Sequence, residues 1–81
     1  MEVTKMKEKV YEITENYCKV LTNLCKKNHD SAFRFYMDFT KKLSGVFDLF
    51  ATNNDMSVED YVSMYNECRE KLDDVYNEYG K

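Results

Sequence analysis

Apolar residues recur at helical spacing in three separate stretches of the chain. The first set is Val3, Met6, Val10, Ile13, Tyr17, Val20 and Leu24; the second is Ala32, Tyr36, Phe39, Leu43, Val46 and Phe50; the third is Val58, Tyr61, Tyr65, Cys68, Leu72, Val75 and Tyr79. Successive members lie three or four residues apart, which is the period of one apolar face of an α-helix. None of the sets alternates with the period of two that marks a strand. The pattern predicts one all-α domain over residues 1–81.

Polar clusters between the three sets predict helices at about 3–28, 31–51 and 57–79. Thr52-Asn53-Asn54-Asp55 is a turn cluster, and Ser57 followed by Asp60 resembles a capping box. The earlier break is less sharp, because neither glycine nor proline marks it. If the first apolar set continued in register, its next members would be polar, so we predict a turn with Asp30 or Ser31 as N-cap.

An up-down-up three-helix bundle is the arrangement that this pattern favours. Spacing of the a/d type packs helices side by side at small crossing angles. The alternative is a single bent helix formed by the first two segments, lying opposite the third. Pairing of two bundles into a larger one, as a dimer, is a further expectation.

Composition and charge exclude several classes of protein. Hydrophobic residues make up 43% of the chain, which is too many for intrinsic disorder. The formal net charge is −3, with a balance of +2 over residues 1–28 and −4 over residues 57–81. An acidic domain with interleaved lysines is a poor match to a phosphate backbone, so we predict no nucleic-acid partner.

The residues that could carry chemistry form no recognisable site. His29 is the single histidine, and the chain has neither a Gly-rich phosphate loop nor a dinucleotide fingerprint. We therefore predict no catalytic residue and no cofactor. Cys25 and His29 have ligand spacing, but Cys68 lies more than about 10 Å away along the bundle, so we predict no metal site. Three cysteines do not form a closed disulfide set, and Cys18 is the one expected to approach Cys68.

Membrane insertion and secretion are not expected. No apolar run approaches the roughly 20 residues that span a bilayer. The stretch MEVTKMKEKVYE alternates charges and lacks the apolar core of a signal peptide. These features favour a cytoplasmic location.

The second helix carries large apolar residues beyond its regularly spaced apolar set, which we call its seam. The surplus residues are Phe33, Phe35, Met37, Phe47 and Leu49. Phe33 and Phe47 lie fourteen residues apart on one flank of the seam, and Phe35 and Leu49 lie fourteen apart on the other. An exposed apolar patch of more than a few hundred Å² usually marks a partner. We therefore expect a non-enzymatic protein–protein interaction or adaptor module that self-associates as a homo-oligomer.

The acidic third segment suggests a different function. Glu70, Asp73 and Asp74 could present negative charge to a basic protein. On this alternative the chain is a small acidic inhibitor or regulator of a host protein, of the type that phages and mobile elements encode. A solvated helix face explains the same charges without any partner.

Residues 30–79 also resemble the phasins, small helical proteins that coat polyhydroxyalkanoate granules. The resemblance rests on amphipathic, aromatic-rich helices and on SVEDYVSMYNECREKLDDVY, in which a Ser-capped helix start is followed by acidic residues and then by alternating apolar positions. It implies a granule-surface role through the face of the second helix, with oligomerisation through coiled-coil segments. It implies no catalytic residue.

Overall fold

Three α-helices form the bundle in the computed structural model, which describes residues 3–54 and 56–81. The elements in chain order are α1 (Val3–Lys27), a 3-10 turn (His29–Ser31), α2 (Ala32–Asn54), α3 (Val58–Val75) and a closing π turn (Tyr76–Gly80). The bundle measures 39 × 16 × 16 Å. No described residue lies in a strand. The predicted all-α three-helix fold is confirmed.

A short turn separates α1 from α2, so the alternative of one bent helix is wrong. The amide of Asn28 still donates to the carbonyl of Leu24 at 2.9 Å, which closes the end of α1. The amide of Ser31 then donates to the carbonyl of Asn28 at 3.2 Å. Lys26 and Lys27 occupy the last turn of α1, where cations suit the negative end of the helix dipole.

The connection between α2 and α3 is shorter than the sequence predicts. We predicted an end near residue 51, but α2 continues through Asn54. Thr52 supports the extension, because its hydroxyl donates to the carbonyl of Asp48 at 2.8 Å. The amide of Met56 donates to the carbonyl of Ala51 at 3.3 Å and reverses the chain. The predicted turn residue Asp55 lies outside the described residues.

The start of α3 is capped as the sequence predicts. The hydroxyl of Ser57 accepts a hydrogen bond from the amide of Asp60 at 3.1 Å. Glu59 and Asp60 lie in the first turn, at the positive end of the helix dipole. These features fix where α3 begins.

The core draws on all three helices. Its fully or almost fully buried apolar residues are Met6, Val10, Leu21, Cys25, Ala32, Phe39, Leu43, Phe47, Met64, Cys68 and Leu72. Thr14 and Thr40 are also buried. Each satisfies its hydroxyl locally at 2.8 Å, Thr14 on the carbonyl of Val10 and Thr40 on that of Met37. Buried hydroxyls with partners carry no unpaired-group penalty.

Some residues of each predicted seam are buried in the core as expected. Others are exposed, because the seam rotates away from the core along the helix. A seam with a seven-residue repeat rotates by about 20° per heptad on a straight α-helix. In α1 the predicted core residue Val20 is 48% exposed, and its neighbour Leu21 is buried instead. In α3 the predicted core residue Val58 is 78% exposed, whereas Leu72, two heptads later, is fully buried. This rotation therefore decides which residues of each seam are buried in the core.

Candidate protein-interaction surface

One side of the bundle is formed by two parallel stripes of residues, one on α2 and one on α3; we call it the α2–α3 face. On α2 the stripe is Phe33, Met37, Lys41, Ser44 and Asp48, and on α3 it is Val58, Val62, Tyr65, Arg69, Asp73 and Tyr76. Spacings of three and four residues keep each stripe on one side of its helix. Contacts between Phe33 and Tyr76 and between Ser44 and Tyr65 place the stripes side by side.

A polar network occupies the middle of the α2–α3 face. The hydroxyl of Tyr36 donates to the carboxylate of Asp73. Arg69 donates from Nε to the Tyr36 hydroxyl at 3.3 Å, and it pairs with Asp73 at 3.5 Å. A second nitrogen of Arg69 donates to the Tyr65 hydroxyl at 3.4 Å, and Tyr65 lies 3.0 Å from the hydroxyl of Ser44. The network therefore links α2 to α3 through four side chains in addition to the arginine.

The electrostatics of this network suit a structural link. Burial, with the hydrogen bond to Asp73, raises the pKa of Tyr36, so its proton is held more tightly than in water. The hydroxyls of Tyr36 and Tyr65 raise the pKa of Arg69, which stays charged. A tyrosine that keeps its proton and an arginine that keeps its charge cross-link helices and offer no general base at neutral pH.

At the end of the face where α2 begins, apolar side chains remain in solvent. Phe33 is 59% exposed, although one edge of its ring meets Tyr76 with 6.0 Å between centroids. Met37, one turn further along α2, is also exposed. Tyr76 itself stacks on Tyr36 at 4.8 Å, so the ring beneath Phe33 is held in place. Two of the predicted apolar partner-binding residues, Phe33 and Met37, therefore lie on this face.

At the opposite end, Phe47 is fully buried, and the prediction that places it on the partner surface is corrected here. The edges of two α3 rings cover it, with centroids at 5.6 Å for Tyr61 and 5.4 Å for Tyr65. Tyr61 is held in turn by donating its hydroxyl to Asp48 at 2.8 Å. Phe47 is thus a core residue of the bundle and is unavailable to a second molecule.

The other flank of α2 divides in the same way. Phe35 is half-buried and packs against the core, while Leu49 is 63% exposed. Neither belongs to the stripe that faces α3. Of the predicted apolar set, Phe33 and Met37 therefore share one surface, and Leu49 lies apart from them.

Two exposed valines complete the α2–α3 face, and sequence reasoning placed neither there. Val58 and Val62 lie one turn apart at the start of α3, and both are exposed. The apolar spacing of α3 predicts Val58 as a core residue and does not include Val62. The signal that could have found Val58 is the capped helix start, because a residue at the first position of a helix has no preceding turn of that helix to cover it.

The predicted acidic site divides into two free carboxylates and one engaged carboxylate. Glu70 and Asp74 are exposed and form no ion pair with another described residue. Asp73 is only half-exposed, and it binds Tyr36 and Arg69 within the bundle. Asp73 is therefore part of the link between α2 and α3, whereas Glu70 and Asp74 lie free on the surface.

The three cysteines are free thiols, and the side chain of His29 is hydrogen-bonded to the main chain. Burial raises the pKa of Cys18, Cys25 and Cys68, which keeps all three as thiols at neutral pH. Cys18 and Cys68 lie close enough to influence each other's charge, and all three cysteines are free. Nε2 of His29 donates to the main-chain oxygen of Lys81 at 3.0 Å. Across the described residues, no three His, Cys, Asp or Glu side chains gather as a metal site would require.

No protein-family model, curated protein or solved structure matches this chain. The resemblance to phasins therefore stays a prediction. The described part of the chain contains no helix that is long and apolar enough to cross a membrane. Fold and surface together define a small three-helix bundle with a partly apolar, tyrosine-lined face between α2 and α3.

Proposed function

We propose that this protein is a non-enzymatic protein–protein interaction module that self-associates through its α2–α3 face. One observation carries the proposal. Six large hydrophobic residues are exposed among the described residues, and four of them lie on this single face: Phe33, Met37, Val58 and Val62. Scattered exposed apolar residues are ordinary, but a concentration of them on one side of a small domain favours a partner.

The rigidity of the face supports the same proposal. Tyr36, Asp73, Arg69 and Tyr65 hold α2 against α3 in the middle of the face. A surface that is already ordered loses less conformational entropy when it binds. Tyrosine and arginine are also the side chains that interfaces favour, together with methionine. The face thus combines apolar anchors with a fixed polar centre.

The test is self-association measured by sedimentation velocity from about 1 to about 100 µM, a range that covers weak and moderate dimers. We expect the sedimentation coefficient of the wild-type protein to rise with concentration. Phe33→Glu should abolish the rise, because it places a charge in the apolar part of the face. Leu49→Glu is the matched control, since Leu49 lies on the same helix, is exposed to a similar extent and faces away from α3.

Two results would contradict the proposal. A wild-type protein that stays monomeric over the whole concentration range would remove self-association as the function of this face. Loss of association in Leu49→Glu with retention in Phe33→Glu would move the interface to the opposite flank of α2.

The exposed carboxylates of α3 favour a second candidate, an acidic regulator of a basic protein. Five of them form no ion pair with another described residue, namely Glu59, Asp60, Glu67, Glu70 and Asp74, and neither does Glu78 in the π turn. This function predicts that Glu70→Lys with Asp74→Lys abolishes capture of a cellular partner while Phe33→Glu leaves capture intact. Asp73 is left unchanged in this test, because its reversal would also break the link to Tyr36. If the double reversal captures the same partner equally well, these acids only solvate the helix.

A further inference from the structure

The exposed apolar residues of the α2–α3 face form two patches with opposite charge. The first, which we call the Phe patch, consists of Phe33 and Met37 with the cations Arg34 and Lys41 beside them. The second, which we call the Val patch, consists of Val58 and Val62 with the acids Asp48 and Glu59 beside them. All eight residues are exposed.

The two patches lie at opposite ends of the bundle. Phe33 contacts Tyr76, which follows the last residue of α3, whereas Val58 is the first residue of α3. Eighteen residues of helix separate Val58 from Tyr76, a rise of about 27 Å. The polar network around Arg69 fills the space between the patches. A partner that covers the whole face must therefore reach both patches.

We infer that the partner is a second copy of this chain in an antiparallel, two-fold dimer; this inference rests on the proposed function. A two-fold axis that lies in the plane of the face and crosses the helices obliquely places the Phe patch on α2 of one copy on the Val patch on α3 of the other. The same rotation brings the remaining two patches together at the other end. Such an interface is isologous, so each contact occurs twice.

Charge complementarity identifies the second copy as the partner. Arg34, Lys41 and Glu59 form no ion pair with another described residue, so each is free to pair across an interface. Asp48 accepts a hydrogen bond from Tyr61, and its side chain is exposed. Each contact between a Phe patch and a Val patch therefore opposes two cations to two acids. A parallel dimer would instead gather the cations of both copies at one end and the acids of both at the other, without pairing them, which disfavours that arrangement.

The size of the face suits a dimer of moderate affinity. One full side of the bundle measures 39 by 16 Å. Stable interfaces bury about 600 to 1,000 Å² of surface on each partner. The lower limit of this range is close to the area of the whole side. The interface therefore has to use both patches and the polar centre together, so changing either patch alone should weaken it strongly.

The experiment uses two variants that each reverse one patch. The first variant is Arg34→Glu with Lys41→Glu, and the second is Asp48→Lys with Glu59→Lys. Each alone opposes like charges at both contacts of a dimer, so we expect at least about tenfold weaker self-association in each. Mixed in equal amounts, the two variants oppose unlike charges at both contacts. We expect a 1:1 heterodimer, detected by sedimentation velocity with one variant carrying a fluorescent label.

A control separates patch complementarity from overall charge. Lys19→Glu with Lys27→Glu changes the net charge by the same amount as the first variant, at two exposed lysines of α1. We expect this control to keep wild-type dimerisation and to form no stable heterodimer with the second variant. Circular dichroism of every variant confirms that it is folded. If Asp48→Lys unfolds the chain, Glu59→Lys with Val62→Lys replaces it.

The outcomes distinguish failure of this inference from failure of the proposed function. A wild-type dimer whose two patch variants do not combine on mixing would overturn the antiparallel arrangement and leave self-association standing. Alternating chains longer than two copies would overturn the two-fold in favour of head-to-tail contacts. A heterodimer that forms equally well with the α1 control would show that net charge alone drives pairing, which also overturns the inference.

Discussion

Phe33 and Phe47 occupy equivalent positions on α2, yet one faces solvent and the other is completely buried. They lie fourteen residues apart on the same flank, and each meets tyrosine rings of the α3 side edge-on. Each also lies next to a tyrosine–aspartate bond between the helices, Tyr36 to Asp73 at one end and Tyr61 to Asp48 at the other. Their exposed fractions are nevertheless 59% and 0%.

The difference follows from the geometry of a straight helix. Two heptads of α-helix fall about 40° short of a whole number of turns. On the flank of Phe33 this rotation carries Phe47 into the core. On the opposite flank the same rotation carries Leu49 away from the core, and Leu49 is more exposed than Phe35. The two ends of α2 therefore present different flanks to solvent, although the sequence pattern treats them alike.

Neighbouring rings strengthen this contrast. Phe47 is covered by Tyr61 and Tyr65, whereas α3 and the π turn offer Phe33 the single ring of Tyr76. That ring is itself fixed by stacking on Tyr36. The buried end thus contributes stability to the fold, and the exposed end leaves apolar surface in solvent.

The largest effect is expected from truncating the two phenylalanines. Phe47→Ala should lower the free energy of unfolding by about 3–5 kcal/mol, because it removes a fully buried ring and leaves a cavity. Phe33→Ala should cost less than about 1.5 kcal/mol, since most of its ring is already in solvent. Urea denaturation followed by circular dichroism measures both. Equal losses would mean that the two rings are buried alike in solution.

A smaller effect is expected from adding a methyl group at Gly80, beneath the exposed end. A Cβ there would lie 2.8 Å from Cε1 of Tyr76 and 3.2 Å from Cβ of Ala32, so the tyrosine must move. Gly80→Ala should therefore destabilise the fold by about 1–3 kcal/mol, as overpacking does. Thermal unfolding measures the loss, and the near-ultraviolet signal of the tyrosines should change with it.

Gly45 provides the matched control for that substitution. It lies in the exposed middle of α2, and a Cβ there would meet nothing within 4 Å. Gly45→Ala should stabilise the protein by about 0.5–1 kcal/mol through helix propensity alone. A stabilising Gly80→Ala would show that the ring of Tyr76 moves aside freely and would remove the packing argument at that end.

The smallest effect is expected at the two tyrosine–aspartate bonds. Tyr36→Phe and Tyr61→Phe should each cost about 1 kcal/mol at pH 7, the net value of one hydrogen bond. Burial raises the pKa of both tyrosines, so the folded state holds both protons more tightly than the unfolded state does. This stabilisation is complete below the ordinary tyrosine pKa of about 10 and is lost as the pH rises above it.

The pH dependence of the folding stability distinguishes the two tyrosine–aspartate bonds from the rest of the chain. Stability measured by urea denaturation between about pH 8 and pH 11 should fall for the wild-type protein and fall less steeply for each variant. The buried thiols also lose stabilisation over alkaline pH, but wild-type protein and variants share that loss. Identical slopes for Tyr36→Phe and the wild type would exclude a tightly held proton at Tyr36.

Much of the fold could be predicted because its signals are local. The break after Lys27 follows from polar residues where the first seam would continue, and the start of α3 follows from Ser57 and its cap. The end of α2 was placed too early, because Thr52 can bond to its own helix as readily as it can begin a turn. Local chemistry of this kind leaves errors of a few residues and does not alter the topology.

The candidate surface was predicted less well. Phe33 and Met37 were expected to be exposed and are, but Phe47 is in the core, and Val58, predicted as a core residue, is exposed. Among the acids, Asp73 could not be told from Glu70 and Asp74 by sequence, because its partner Tyr36 lies 37 residues away. Exposure depends on which neighbour covers a residue, and no pattern within one helix contains that information.

The sequence by itself determined that this chain forms three amphipathic helices, where each begins, and that their apolar stripes are wider than a seam. The tertiary structure alone decided which members of those stripes are covered. The physical reason is that helical periodicity is set by hydrogen bonds four residues apart, whereas burial is set by the rotation of each helix against its neighbours. A drift of about 20° per heptad is enough to bury Phe47 and leave Phe33 in solvent.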